Sequence, residues 1–196
     1  MLRFGMAGFA LAAMCIISPA GAFVRGTDDG EAQAEAIADE VTNNLIVASD
    51  AHWHKGEYNH VVNLLKMVVA GQPDNLEAYG NAGWLLWSMN KDQEAIALYE
   101  QGIRANPKSY YMYDEMGFYY YNRKKDYPKA IQYFEKSVKS PDVKPMSLHL
   151  LAHAYERTGQ LKLSLQTWER AAKIPGPQNG AAKVNLERVK KKVNTH

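Results

Sequence analysis

His149 and His153 stand four residues apart, a spacing that turns both imidazoles toward one side of a helix. Two histidines so placed make half of a zinc-type site. Asp50 and His54 repeat the spacing elsewhere in the chain. Neither pair has a third ligand on its own helix turn, so no metal is expected, with His149 and His153 the residues that would hold one. Catalytic patterns are lacking as well. The sequence has no Gly-rich phosphate loop, no G-x-S-x-G and no H-E-x-x-H. The single cysteine, Cys15, lies near the start in an apolar run. No enzymatic activity and no cofactor are expected.

Aromatic side chains offer a different chemistry, that of binding. Trp84 and Trp87 are three apart, and so are Phe118 and Tyr121. On a helix each pair shares a face. Such side chains bring a large contact area at low ordering cost and dominate binding hot spots. Composition limits what they would bind. The chain has 196 residues, 46% of them hydrophobic and 22% charged, with a formal net charge of +2. That balance suits a folded domain and lacks the clustered positive bias of a nucleic-acid binder, so no nucleic-acid partner is expected.

The first 22 residues read as a secretory signal peptide. Arg3 supplies a basic start, residues 4–17 are apolar, and Ser18-Pro19-Ala20-Gly21-Ala22 offers a breaker and an A-x-A cleavage site. The apolar run falls short of the roughly 20 residues that span a bilayer. Cleavage after Ala22 would leave a chain without cysteine and without a stable membrane span, in the periplasm or secreted.

What positions the aromatic residues is a repeat. Breaker clusters at Gly71-Gln72-Pro73-Asp74-Asn75 and Asn106-Pro107-Lys108-Ser109 place their prolines 34 residues apart. Ser140-Pro141-Asp142 and Ile174-Pro175-Gly176-Pro177 follow. Between them Tyr79, Ala82, Gly83 and Leu86 recur as Tyr113, Met116, Gly117 and Tyr120, then as Leu148, Leu151, Ala152 and Tyr155. Ala95 and Tyr99 recur as Ala130 and Phe134, then as Ser164 and Trp168. The offset is 34 except for one extra residue near Arg123-Lys124-Lys125-Asp126, expected in a surface turn, where an insertion costs little. Proline and glycine punctuation divides each unit into two helices. Small residues recur where those helices must approach closely.

These residues resemble the tetratricopeptide repeat, a helix-turn-helix unit of 34 residues. The match is fullest over 76–109, through Tyr79, Ala82, Gly83, Leu86, Asn90, Ala95, Tyr99, Gly102 and Pro107. It continues over 110–144 and 145–178, and more weakly over 42–75 through Gly56, Tyr58, Leu65 and Pro73. The resemblance implies an all-α fold, an α-solenoid of about four repeats spanning 42–178. Residues 23–41 would form an N-terminal segment extending the first helix. Residues 179–196 would form a capping helix, with Lys190-Lys191-Lys192 at its solvated C-terminal end.

The resemblance also implies a concave side, lined by the first helix of each unit, that grips a peptide or a partner's helix. The residues expected on it are Trp53 and His54, then Trp84 and Trp87. Tyr111, Asp114, Phe118 and Tyr121 follow, and His149, His153 and Arg157 complete the stripe. Trp84 and Phe118 occupy slots where repeat co-chaperones that hold acidic tails use polar clamps, so an apolar or aromatic ligand is expected instead. The expected function is a non-catalytic scaffold in the cell envelope, binding a protein or peptide through an aromatic groove. Two other uses of the same residues are self-association into a homo-oligomer and carriage of a small ligand or metal.

Overall fold

The computed structural model describes residues 28–195. The expected signal over 1–22 lies outside them. The described residues form helices and turns with no strand. In order they are α1 (Asp28–His54), α2 (Tyr58–Gly71), α3 (Leu76–Ser88), α4 (Asp92–Ala105), α5 (Tyr110–Phe118), α6 (Tyr127–Ser137), α7 (Pro145–Arg157), α8 (Leu161–Ala171) and α9 (Asn179–Asn194). A wide π turn, Tyr119–Lys124, continues α5. The chain divides into two compact units, one ending at Asp39 and one running from Glu40. Of the first, the described part is the start of α1, with side chains exposed from Asp29 to Asp39. All that follows concerns the second.

Local chemistry sets the helix ends. Asn75, Ser109 and Asp126 cap α3, α5 and α6, their side chains accepting from the backbone N–H of Ala78, Tyr111 and Lys129. At the other end the first helix of every pair closes on a residue with positive φ: Gly56 (+74°), Asn90 (+63°), Lys125 (+56°) and Gly159 (+75°). This left-handed residue lets the following N–H reach back to an orphan carbonyl. Glu57 donates to His52, Lys91 to Leu86 and Gln160 to Tyr155, each across five residues.

The third pair departs from that pattern and corrects the sequence expectation. Asp126 donates to Tyr120, across six residues. The turn itself keeps its length, because Lys125 is still the left-handed residue and Asp126 still the cap. The extra residue is absorbed one turn earlier, in Tyr119–Lys124. Widening that turn keeps the neighbouring Tyr119 and Tyr120 both buried, and the Tyr119 hydroxyl donates to Asp92 Oδ1 at 2.8 Å. Arg123 completes the docking, donating to Asn90 at 2.6 Å and to Asp92 at 3.2 Å.

Helices pack as antiparallel pairs, α3 on α4, α5 on α6 and α7 on α8, with α9 laid on α8. The core is continuous along the stack. One cluster gathers Val61, Val68, Tyr79, Leu86, Ala95 and Met112; another gathers Tyr99, Met116, Phe134, Leu148, Trp168 and Val189. Half-buried Trp87 and Ile103 pack against both. Each fully buried large apolar side chain contributes roughly 1.5–3 kcal/mol. Glycine is required where rings cross a helix. A Cβ on Gly83 would run into the Tyr99 ring, and one on Gly117 would lie 2.6 Å from the Phe134 ring.

Candidate binding face

At the N-terminal end of the stack, Trp53 of α1 and Trp84 of α3 stack with ring centroids 5.9 Å apart and planes inclined by 28°. Trp53 is 38% exposed and Trp84 41%. Tyr58 meets Trp53 edge-on at 5.6 Å, and Trp87 meets Trp84 edge-on at 5.9 Å. Trp87 leans inward on Tyr119 at 6.4 Å. Trp84 and Trp87 therefore share a side of α3 but not a role: one faces out and the other closes the core. Phe118, one repeat beyond Trp84, is also exposed. His54 lies in the open, its Nε2 3.5 Å from Asp50 Oδ1.

Beneath this ledge a cleft of about 440 Å³ opens between α1 on one side and α2 and α3 on the other. Its apolar surface comes from Ile46, Trp53, Val61 and Leu65, and its polar surface includes Asp50 and Glu77. Asp50 and Glu77 are far apart in the sequence, and only the fold brings them to one cavity.

The middle of the face is more tightly built. Tyr111 is half-buried and lies across Gly80, where an added Cβ would sit 2.6 Å from its hydroxyl oxygen. Burial, then the nearby Glu115 and Glu77, push its phenol up to about 12. Asp114 is held by two buried serines, Ser137 donating at 3.0 Å and Ser147 at 2.8 Å. Its carboxyl is raised by burial, against the pull of those serines. Glu115 is pushed up to about 7, first by burial and then by the neighbouring Asp114. Tyr121 is half-buried, meeting Tyr127 at 5.3 Å and Phe134 at 6.5 Å, and the Arg157 guanidinium lies 5.8 Å from the Tyr127 ring.

The histidine pair differs from its expected groove position. His149 is buried, 4.9 Å from the Trp168 ring, and its Nε2 has no hydrogen-bond partner among the described residues. Burial, with His153 adding to it, lowers its pKa. His153 is half-buried, also 4.9 Å from Trp168, with Nδ1 3.4 Å from Glu156. Both rings are thus engaged in packing the indole. Among the described residues no group of three or more His, Cys, Asp or Glu is placed to hold a metal ion.

Glu156 is the residue that sequence reasoning undervalued here. Arg188 of α9 grips it with two bonds of 2.6 and 2.7 Å, and Lys192 adds one at 3.2 Å. Burial raises its carboxyl, but the Arg188 and Lys192 bonds outweigh that and hold it at about 2. The basic run of α9 gives a charge signal in sequence, yet nothing in it names an acceptor 32 residues away.

Residues 76–109 match the family model described as tetratricopeptide repeat. That segment is a tetratricopeptide repeat. The matched segment covers α3 and α4, the unit that carries Trp84 and Trp87. Solved tetratricopeptide-like structures share the fold. MamA from Desulfovibrio magneticus RS-1, from residue 41 to its end, is 17% identical, covering 80% of this chain and 87% of that one with a TM-score of 0.61. PilW, a widely conserved type IV pilus biogenesis factor, is 17% identical over 79% of this chain and 70% of its own, with a TM-score of 0.60. The pilF protein of Pseudomonas aeruginosa is 12% identical over 81% and 71%, with a TM-score of 0.63. At such identities the likeness is one of fold. No curated protein matches the chain. Among the described residues no helix is long and apolar enough to cross a membrane.

Proposed function

We propose that this repeat protein is a non-catalytic scaffold that holds a protein or peptide partner against the aromatic end of its repeat face. The observation that carries the reading is the stacked Trp53–Trp84 pair, two large aromatics from different helices left more than a third exposed beside an open cleft. Leaving two indoles in water forgoes burial worth kcal/mol each unless a partner covers them. The charged groups farther along the face are engaged with one another, as Glu156 is with Arg188 and Asp92 with Arg123. That arrangement suits a rigid support for the aromatic ledge. The basic, apolar and small-residue order of residues 1–22 supports export, with the scaffold acting in the cell envelope or outside the cell.

The test uses Trp53→Ala combined with Trp84→Ala, because Trp87 belongs partly to the core. Partner capture from the native envelope should fall by roughly 2–4 kcal/mol of binding free energy, with helical circular dichroism unchanged. Undiminished capture by the double variant sinks the reading. Loss of the ledge accompanied by loss of a concentration-dependent oligomer would instead assign the face to self-association.

A further inference from the structure

The cleft under the tryptophan ledge has a chemistry of its own. Its floor is core: Val61 and Leu65 are buried. Its wall is apolar and open, from Ile46 and Trp53, both partly exposed. Its two charged carboxylates, Asp50 and Glu77, come from different helices. Glu77 stands in the first turn of α3 and has no ion-pair partner among the described residues. Asp50 faces only His54, at 3.5 Å, with both side chains more than 70% exposed. No lysine or arginine lines the cavity.

An apolar cavity rimmed by unneutralised carboxylates discriminates by charge. A carboxylate brought in by a ligand would be desolvated beside two like charges, which costs kcal/mol. A guanidinium or ammonium would find two acceptors and the indole of Trp53, whose face attracts a cation. At about 440 Å³ the cleft accommodates an aliphatic side chain with room for the stem of a long basic one. We infer that the cleft between α1 and α3 receives a partner segment carrying an arginine or lysine next to an aliphatic residue. The aliphatic group rests on Ile46, Val61 and Leu65. The cation lies between Asp50 and Glu77 and against Trp53. This assignment rests on the scaffold reading and adds the sign of the partner's charge to it.

Selection from a random peptide display library on the immobilised protein tests it. Side-by-side selection on the Asp50→Asn, Glu77→Gln double variant completes the comparison. Both replaced side chains are exposed and each replacement keeps its size, so helical circular dichroism should not change. The expected result on the wild type is enrichment of sequences with Arg or Lys beside Leu, Ile, Val or Met, at least tenfold over their Glu or Asp counterparts. On the double variant the aliphatic preference should persist while the basic preference disappears. Enrichment of acidic or uncharged sequences, or a basic preference that survives in the variant, overturns the inference and leaves the scaffold reading standing. Absence of any enrichment on the wild type overturns both.

Discussion

Glu115 is the side chain through which pH acts most directly on this fold. Its carboxyl moves from an ordinary 4.5 to about 7 because it is buried, and because Asp114 lies beside it; the Tyr99 hydroxyl and Lys144 pull it down only in part. Between those values the folded chain holds a proton that the unfolded chain has released. Folding is therefore supported fully below about pH 4.5, and that support is lost as pH rises through 7. Asp114, also raised, pulls the same way. Asp92 and Glu156, each held at about 2, work in the opposite sense, losing their support only as pH falls through the ordinary carboxylate range toward 2. His149 and His153, lowered by burial, oppose this by favouring folding as pH rises through the imidazole range. The Glu115 contribution is therefore read by difference: from pH 5.5 to pH 8 in urea unfolding, Glu115→Gln should gain stability over the wild type, by on the order of 1–3 kcal/mol at pH 8. An unchanged pH slope in the variant would show that Glu115 makes no such contribution.

The π turn is the element whose behaviour departs most from its repeats. Its insertion is absorbed inside the helix, so that Tyr119 and Arg123 meet Asp92 and Asn90 of the preceding turn. The turn that follows then ends on Lys125 at φ +56°, where the equivalent residues of two other units are glycines. A side chain in the left-handed region carries a steric cost that glycine lacks. Lys125→Gly should therefore raise stability by about 0.5–1 kcal/mol, read as a higher urea midpoint at unchanged slope. A lower midpoint would mean that the Lys125 side chain supplies more than its backbone strain removes. The presence of an extra residue was visible as a change from 34 to 35 in the repeat spacing. Its place was not, because residue types do not record which carbonyl an N–H will choose when two wide turns are sterically open to it.

Stacked repeats contact only their neighbours, so stability along the molecule is a sum of local interfaces. α9 closes one end of the sum. It buries Ala182 and Val189 in the same cluster as Trp168 and brings Arg188 and Lys192 to Glu156. Ending the chain after residue 178 would leave Glu156 half-desolvated without its cations and the α8 face wet. Amide hydrogen exchange should quicken in α7 and α8 of the shortened protein while α3 and α4 keep most of their protection. Uniform acceleration throughout would instead mark the stack as a single cooperative unit.

The helical period, the spacing of breakers and the recurrence of small residues are written in the amino-acid sequence, because each follows from local rules. Gly83 and Gly117, with Tyr79, Tyr99 and Asn90, mark helix pairs through their recurrence at the repeat spacing. The division of the inner stripe into exposed and buried side chains required the tertiary structure. Trp84 and Trp87 differ by about 60° around their helix at roughly 100° per residue, enough for the next helix to cover one and miss the other. His149 and His153 look equivalent in sequence, yet the approach of α8 buries the first against Trp168 and leaves the second at the edge. Asp50 and Glu77 come to one cleft only because α1 and α3 meet, as Trp53 does with Trp84. That meeting is a long-range contact, which no local pattern encodes.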